Sequence, residues 1–287
     1  KKIINFKYFL ISIFGTLSIL IVISLNIISN KGYDKRFPLE GTFQLDNMKY
    51  KEDVRLLKYE LGSPNFTSLE KKKILVFGNS HGRDFFNMFA LNKDLFPDYE
   101  FSMMDGQVRC LKTLIDEKSL CKRKVPKKLL DNFLKSDFII ISTAYNKEDL
   151  NEIESAVKML KQSQKKVIIT SMMPKFYFKN SRSLIDEFFY INKRLPNINE
   201  KETLEKKKFD LSINETDQIN LILRNISKRN NVKFLDKKDY LCINTSKKCF
   251  VLTDKNKKIE TDESHLTVSG AKFFGEVISK INWLEID

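Results

Sequence analysis

Histidine is scarce in this chain, which has two among its 287 residues, His81 and His265. Cysteine is limited to two local pairs, and neither pair has the Cys-x-x-Cys spacing that is typical of a zinc knuckle. A zinc site is therefore the weaker interpretation of the cysteines. We predict that the domain holds no metal and binds no cofactor of its own.

Dense basic clusters are also few, although the formal net charge is +14. Most lysines are scattered among acidic residues, and the longest runs of lysine are Lys71-Lys72-Lys73 and Lys206-Lys207-Lys208. Nucleic-acid binding usually concentrates cations in one patch or stripe, so this distribution argues against a nucleic-acid partner. The charge fits a solvated face that lies near anionic lipid headgroups or an acidic glycan.

The amino-terminal segment from Tyr8 to Ile28 is almost wholly apolar and lacks an Ala-x-Ala cleavage site. About 20 such residues cross the hydrocarbon layer of a membrane as a helix, whereas the apolar part of a signal peptide has about 7 to 15. We therefore predict a transmembrane helix within residues 1–30. The lysines that precede it favour a cytoplasmic amino end and an exported remainder, although the cations that follow it weaken this bias.

Beyond this segment the chain alternates between predicted strands and helices, and it shows no internal repeat. Such alternation predicts an α/β fold with helices on both faces of a parallel sheet. A polar linker is expected at 31–70, with a short helix around 51–60. The predicted strands are 73–77, 99–104, 137–142, 166–171 and 232–235, and the predicted helices are 81–91, 147–163, 217–230 and 269–281.

The connection from Pro174 to Leu211 is longer than usual and rich in aromatic residues. Long ordered insertions near an active edge often form binding walls or lids, and aromatic rings suit the faces of sugars. Alternatively, these rings pack a local helix onto the body. The aromatic residues are Phe176, Tyr177, Phe178, Phe188, Phe189 and Tyr190.

A candidate catalytic serine, Ser80, follows an apolar run and Gly78, which predicts a sharp turn from a buried strand into a helix. Far downstream, Asp262 and His265 are three residues apart, so their side chains can point the same way. A hydroxyl becomes a good nucleophile when an imidazole takes its proton and a carboxylate fixes the tautomer of that imidazole. These residues predict a serine acyl-transfer site.

Simpler interpretations exist for each part of this site. Ser80 is a residue type that often caps helices, and most Asp-x-x-His pairs are surface ion pairs of little consequence. The scarcity of histidine favours catalysis, because one histidine adjoins the candidate serine and the other occupies the position of the base. His81 is interpreted as a structural or supporting residue.

The motifs Gly78-Asn79-Ser80-His81 and Asp262-x-x-His265-Leu266 resemble the first and last blocks of the SGNH hydrolase superfamily. Together with the two cysteine pairs and the closing motif that ends at Ala271, they are similar to the extracytoplasmic SGNH domain fused to membrane acyltransferases of the acyltransferase-3 family. The resemblance implies a three-layer αβα, flavodoxin-like SGNH domain at 71–287. It also implies O-acylation, usually O-acetylation, of a cell-surface glycan such as lipopolysaccharide.

On this resemblance, residues 1–30 are the last helix of a truncated membrane acyltransferase, although a single-anchor protein remains the alternative. The upstream membrane domain and the glycan acceptor are the expected partners, and an acetyl-CoA-derived donor reaches the site through the membrane domain. The expected location is the bacterial inner membrane with the SGNH domain on the periplasmic side. An even number of cysteines in an exported domain favours two disulfides, Cys110–Cys121 and Cys242–Cys249.

The oxyanion of acyl transfer needs preset hydrogen-bond donors. The amide of Ser80 is one candidate, and Gly106 matches the second SGNH block by position. The third block, Gly-x-Asn-Asp, is replaced here by the stretch from Ser142 to Asn146, and Asn146 is our choice of donor there.

The predicted mechanism has two half-reactions, in which Ser80 takes the acyl group from a donor and passes it to a glycan hydroxyl. Two other functions stay open. One is a membrane-anchored esterase that uses the same triad, and the other is a catalytically silent module that positions a glycan.

Overall fold

The computed structural model describes residues 6–29, 64–114, 126–176, 183–212, 216–262 and 264–286. The chain divides into two units, Lys1–Leu45 and Asp46–Asp287. In the first, helix α1 (Phe6–Ser29) contains a segment of 22 residues, Tyr8–Ser29, with a mean hydropathy of 2.4. Its apolar side chains are exposed, and by length and composition it is able to cross a membrane.

The second unit is built on a five-stranded parallel sheet in the order β2-β1-β3-β4-β5. This order is the flavodoxin-like one, in which the chain winds outward in both directions from β1 and β3. The predicted α/β fold with a parallel sheet is confirmed. The strands are β1 (Lys72–Gly78), β2 (Tyr99–Asp105), β3 (Phe138–Ile141), β4 (Lys166–Thr170) and β5 (Lys233–Leu235).

Strand β1 is apolar on both faces because both faces of the sheet are covered. Ile74 and Val76 contact one hydrophobic core, and Leu75 and Phe77 contact the other. The alternation of side chains along a strand thus divides one apolar run between two cores. β1 pairs with β2 and β3, so its carboxyl end lies in the interior of the sheet edge, next to the central strand β3.

Helices α2 and α9 cover one face of the sheet, and α4 and α7 cover the other. Gly275 of α9 lets that helix approach α2 closely, since a Cβ there would lie 2.3 Å from the carbonyl oxygen of Met88. The helices of this unit are α2 (Ser80–Ala90), α3 (Lys127–Lys135), α4 (Lys147–Gln162), α5 (Leu184–Asn192), α6 (Ile198–Leu211), α7 (Thr216–Asn230), α8 (Lys238–Leu241) and α9 (Val268–Lys280).

The body begins earlier than the predicted linker boundary at residue 70. Phe66 is buried in the core, and the Glu100 carboxylate accepts hydrogen bonds from the backbone amides of Thr67 and Ser68 at 2.9 to 3.1 Å. Residues 64–68 therefore belong to the packed body. The helix expected around 51–60 lies outside the described residues.

A short antiparallel hairpin carries one of the predicted disulfides. Strands β6 (Cys242–Ile243) and β7 (Lys248–Cys249) pair, and the Cys242–Cys249 bond closes the hairpin, as predicted. Cys110 is disulfide-bonded as well, while its predicted partner, Cys121, lies outside the described residues.

Candidate active site

Ser80 is the first residue of α2, directly after the turn that ends β1. The cap of this helix is Asn79, whose Oδ1 accepts hydrogen bonds from the backbone amides of His81 and Ala144, each at 3.1 Å. The simpler interpretation of Ser80 as a helix cap is therefore wrong. Because Asn79 performs the capping, the exposed hydroxyl of Ser80 is available to a different partner.

Gly78 makes this turn possible. A Cβ at Gly78 would lie 1.8 Å from the carbonyl oxygen of Ser142, which follows β3. Glycine lets the backbone of β1 pass this carbonyl, so that Asn79 and Ser80 reach the carboxyl edge of the sheet. The predicted sharp turn is present at the expected residue.

The structure brings the three predicted triad residues together. Ser80 Oγ lies 2.8 Å from His265 Nε2, and His265 Nδ1 lies 2.8 Å from one carboxylate oxygen of Asp262 and 3.1 Å from the other. A carboxylate only accepts hydrogen bonds, so Nδ1 carries the proton and Nε2 is left to accept from the serine hydroxyl. This is the arrangement of a serine nucleophile with its general base.

Asp262 is held ionised by its hydrogen bonds. Partial burial raises its pKa. The hydrogen bonds from the His265 ring and from the Ser264 and His265 amides lower the pKa by more than burial raises it, and the result is about 2. The carboxylate is thus charged at neutral pH and in mild acid. Its contact with Nδ1 orients the imidazole, and its negative charge favours the protonated form of the ring.

The second histidine packs against the first. The rings of His81 and His265 meet edge to face with centroids 5.1 Å apart, and burial, helped by Lys237 and His265, lowers the pKa of His81 to about 3. His81 is therefore uncharged at neutral pH and does not repel the His265 imidazolium. Its Nδ1 is buried without a hydrogen-bond partner among the described residues.

Gly106 does not offer a free amide to an oxyanion. Its N–H donates to the carbonyl oxygen of Gly78 at 2.9 Å, which continues the hydrogen bonding between β1 and β2. Glycine is required there for packing, because a Cβ would lie 2.5 Å from the ring of Phe77. The structure therefore contradicts the predicted use of this amide.

Asn146 caps helix α4. Its side-chain oxygen accepts from the amide of Asp149 at 2.8 Å, and the Asp149 carboxylate accepts from the amide of Asn146 at 3.3 Å. This capping box uses the side-chain oxygen of Asn146 and leaves its Nδ2 as a donor at the exposed end of the helix.

The loop that carries Asp262 and His265 is fixed on both sides. Within the loop, the amide of Thr261 donates to the carbonyl of His265 at 2.9 Å, and Glu260 forms an isolated bridge with Leu266. From outside, Asp84 of α2 accepts a hydrogen bond from the amide of Leu266 at 2.9 Å. The helix of the nucleophile thus holds the residue next to the base.

The long connection folds into two helices, α5 and α6, where a single local helix, without bounds, was one of two alternatives expected from the sequence. Two ion pairs with buried lysines join them to the segment that leads into the catalytic loop, Lys208 with Glu260 at 2.7 Å and Lys258 with Asp186. Phe176 before α5 is fully buried, while Tyr190 at the end of α5 is 57% exposed. Tyr177 and Phe178 lie outside the described residues.

Sequence reasoning missed Asp84, Lys237, Lys208 and Glu260, all of which are buried charged residues. Asp84 gave one signal, because it lies on the phenylalanine-rich side of α2, where an unpaired charge would be costly. The partners of the other three are set by long-range contacts, which leave no local pattern.

A cavity of about 940 Å³ lies away from this site. It lies at the amino ends of β1, β3 and β4 and contains no triad residue. Chemistry in parallel α/β sheets takes place at the opposite edge, so we assign no catalytic role to this cavity. The described residues contain no group of histidine, cysteine and acidic side chains able to hold a metal ion.

A family model described as the SGNH domain fused to AT3 domains matches residues 47–280. The chain belongs to this SGNH domain family. The match spans the sheet, the triad and the closing helix of the SGNH domain. None of the curated proteins compared with the chain matches it.

Among solved structures, the chain is similar to the periplasmic domain of the lipopolysaccharide acetyltransferase of Salmonella ser. Paratyphi A, with 17% identity, a TM-score of 0.56, and coverage of 83% of this chain and 97% of that one. This likeness supports the fold. A GDSL-like lipase of Bacteroides thetaiotaomicron (15% identity, TM-score 0.41, coverage 82% and 96%) is more distant. So is an acetylxylan esterase of Geobacillus stearothermophilus (13% identity, TM-score 0.41, coverage 78% and 98%).

Proposed function

We propose that this SGNH domain is an O-acyltransferase, with acetyl as the expected group, that modifies a cell-surface glycan through an acyl-enzyme on Ser80. One observation carries the proposal, namely the continuous hydrogen-bonded chain from Ser80 Oγ through the His265 ring to Asp262. These residues come from opposite ends of the domain. Their convergence at the carboxyl edge of the sheet gives the constellation that acyl transfer requires.

In the first half-reaction, His265 Nε2 takes the hydroxyl proton of Ser80 while Oγ attacks the carbonyl carbon of the acyl donor. The donor's leaving group departs with that proton, and the acyl ester of Ser80 remains. In the second half-reaction, His265 takes the proton of a glycan hydroxyl, whose oxygen attacks the ester. The Ser80 oxygen leaves with the proton, which regenerates the free enzyme.

The oxyanion in each half-reaction needs donors, and we propose the backbone amide of Ser80 and Nδ2 of Asn146. The Ser80 amide belongs to the first turn of α2, where the helix dipole adds positive potential. Asn146 Nδ2 is left free by the capping box at the start of α4. Gly106 is omitted because its amide is bonded to Gly78.

Membership of this family supports acyl transfer over hydrolysis. Its SGNH domains are described as fused to AT3 domains, and a structurally similar periplasmic domain belongs to a lipopolysaccharide acetyltransferase. We propose that α1 is the last helix of such a membrane domain, that this domain delivers the acyl group, and that Ser80 faces the periplasmic side of a bacterial inner membrane.

An esterase is the second candidate, because the contact between Ser80 and His265 is exposed, which gives water access to an acyl ester there. The two functions differ in their response to acceptor. A transferase in which bound sugar outcompetes water forms acylated sugar, whereas an esterase releases free acid at a rate that added sugar does not change.

The test uses the full chain in detergent, an activated acetyl ester as donor, and a panel of neutral and acidic oligosaccharides as acceptors. Mass spectrometry should detect an acetylated serine peptide containing Ser80 and then an acetylated sugar. Ser80→Ala is the matched control and should show neither product while its unfolding midpoint stays unchanged. Acetate release without acetylated sugar supports the esterase, and equal products from Ser80→Ala and the parent chain refute a catalytic Ser80.

A further inference from the structure

A small buried cavity of about 10 Å³ lies directly behind the catalytic histidine loop. Such a volume holds about one water molecule, so this is a packed polar cluster and not a ligand pocket. Its polar lining consists of His81, Asp84, Lys237, Tyr240 and Ser264. All five are buried, at 1 to 7% exposure.

Asp84 makes the contact that matters most to the triad. It lies one turn beyond Ser80 on α2, and its Oδ2 accepts a hydrogen bond from the backbone amide of Leu266 at 2.9 Å. His265, the residue before Leu266, is in turn fixed by its own amide, which donates to Asp262 at 2.9 Å. The backbone of the base is therefore held on both sides, once by the acid of the triad and once by the helix of the nucleophile.

A carboxylate as buried as Asp84 needs a compensating charge. Lys237 enters the same cavity after β5, and its backbone amide is anchored to Ser171 Oγ at 2.7 Å. Burial lowers the pKa of Lys237 to about 7, and Asp84 and Asp236 oppose that shift. The negative charge of Asp84 favours the protonated form of Lys237, whose side chain lines the same cavity.

We propose that Asp84, balanced by Lys237, is a positioning residue that fixes the backbone of the His265 loop against the nucleophile helix and thereby sets the contact between Nε2 and Ser80 Oγ. This inference rests on the proposed catalytic roles of Ser80 and His265. It adds a second carboxylate to the site. Asp262 accepts from the amide of His265, and Asp84 accepts from the amide of the next residue, Leu266.

The contact is direct enough for its loss to matter. A displacement of about 1 Å in a catalytic group costs roughly 100-fold in rate. Without the Asp84 acceptor, the Leu266 amide would be buried and unsatisfied, so the loop would shift to find another partner. Such a shift would change the reactivity of Ser80 and leave the binding of a donor largely unaltered.

The test measures the reactivity of Ser80 with a fluorophosphonate, in which the serine oxygen displaces fluoride from phosphorus and His265 takes the serine proton. This probe needs neither the natural donor nor an acceptor. The maximal labelling rate, kinact, and the probe's half-saturating concentration, KI, are measured for the full chain in detergent. Ser80→Ala and His265→Ala give the baseline, and labelling of the parent chain at that baseline would refute the proposed function and not this inference alone.

Asp84→Asn keeps an oxygen that accepts from the Leu266 amide, and it should label within about threefold of the parent rate. Asp84→Ala removes the acceptor, and its kinact should fall 10- to 100-fold with KI within twofold. Asp94→Ala, an exposed acid just beyond α2, is the matched control and should label at the parent rate.

The double variant that combines Asp84→Ala with Lys237→Met distinguishes a positioning role of Asp84 from a purely structural one. This double variant has no unpaired buried charge, so its unfolding midpoint should recover relative to Asp84→Ala, while kinact should stay low. The inference is overturned if the double variant labels at the parent rate, or if Asp84→Asn labels as slowly as Asp84→Ala. Asp84→Asn keeps the site filled, and Lys237, whose pKa is lowered to about 7, is able to release its proton there. The double variant carries neither charge, so the outcome does not depend on whether Asp84→Ala folds.

Discussion

The reactivity of Ser80 depends on the residues on either side of it. Gly78 allows the strand to pass the Ser142 carbonyl, and Asn79 caps the helix, so the serine hydroxyl is not consumed by the backbone. His81, the residue that follows, is uncharged and packs against His265. Each residue of the Gly-Asn-Ser-His motif therefore has a separate physical task, and the Ser80 hydroxyl is the group left to contact His265 Nε2.

Asp262→Asn should reduce acylation of Ser80 by about 10³- to 10⁴-fold, because an amide donor next to Nδ1 favours the wrong imidazole tautomer. The Asn oxygen would still accept from the Ser264 and His265 amides, so the loop should remain folded. The measurement is the fluorophosphonate labelling rate, with the exposed Asp254→Asn as matched control. Labelling of Asp262→Asn at the rate of Asp254→Asn would refute the role of Asp262.

Asn146→Ser separates the two tasks of Asn146, since serine is also a good helix cap but lacks the Nδ2 donor. If Nδ2 binds the oxyanion, acetylation by an activated ester should slow about 10²- to 10³-fold with an unchanged unfolding midpoint. Asn197→Ser is the matched control, because Asn197 caps α6 with an equivalent capping box. If Asn146→Ser is acetylated at the parent rate, Asn146 acts only as the cap of α4 and not as an oxyanion donor.

At the scale of elements, the insertion formed by α5 and α6 is tied to the catalytic loop by charge. Lys208 is 2% exposed, and its ammonium donates both to Glu260 at 2.7 Å and to the carbonyl of Phe250 at 2.6 Å. The backbone of Glu260 in turn forms an isolated β-bridge with Leu266, in the loop that carries His265. Together with the pair of Lys258 and Asp186, this ion pair attaches the helix pair to the segment that leads into the His265 loop.

Lys208→Met should lower the free energy of unfolding by about 3 to 5 kcal/mol, because it leaves the Glu260 carboxylate buried without its counter-ion. Adding Glu260→Gln should recover much of the loss. On the same helix, Lys206 pairs with Glu202 at the surface, so Lys206→Met should cost less than about 1 kcal/mol. Urea unfolding measures all three, and similar losses for Lys208→Met and Lys206→Met would show that burial of the pair is unimportant.

The elements that could be predicted from the sequence are those with local patterns. β1 is a continuous apolar run, and α4 and α7 have apolar residues at helical spacing, so their bounds were predicted to within a residue or two. The helices α5 and α6 were not predicted, although Ser183 and the Asn197–Glu200 capping box mark their starts. Their attachment to the body depends on lysines that pair with residues more than 50 positions away. Local patterns carry no information on such partners.

The same distinction explains the site. Ser80, Asp262 and His265 were predicted because their chemistry is specific to residue type and histidine is rare. The error at Gly106 arose because a glycine at the right position does not reveal whether its amide is already bonded to the neighbouring strand. Asp84 and Lys237 were missed because a buried pair becomes visible only after the chain has folded.

At the scale of the whole molecule, the net charge of +14 is a surface property, yet some lysines are buried. Lys237 is 2% exposed and has a pKa of about 7, against an ordinary value of 10.5. Burial disfavours its charged form, and the nearby Asp84 and Asp236 only partly compensate. The stability of the domain should therefore depend on pH well above the range in which carboxylates titrate.

The direction in which stability changes with pH depends on which state of the chain binds more protons. Between pH 7 and 10.5 the unfolded chain keeps a proton on Lys237 that the folded chain has released, so this group makes stability rise with pH, by at most about 1.4 kcal/mol per unit. Below pH 7 both states bind the proton, and the contribution of Lys237 is constant. Lys237→Met has no such group, so its stability should lack this rise.

The difference in unfolding free energy, Lys237→Met minus the parent, should accordingly be largest near pH 7 and fall steadily towards pH 10. Trp283 is the sole tryptophan, and it packs against Tyr240 and Phe85 beside Lys237, so its fluorescence reports unfolding of this region. Tyr240 does not titrate in this window, because burial raises its pKa well above 10. A difference that stays constant from pH 7 to 10 would mean that Lys237 keeps its ordinary proton affinity in the fold, and that Asp84 and Asp236 fully offset its burial.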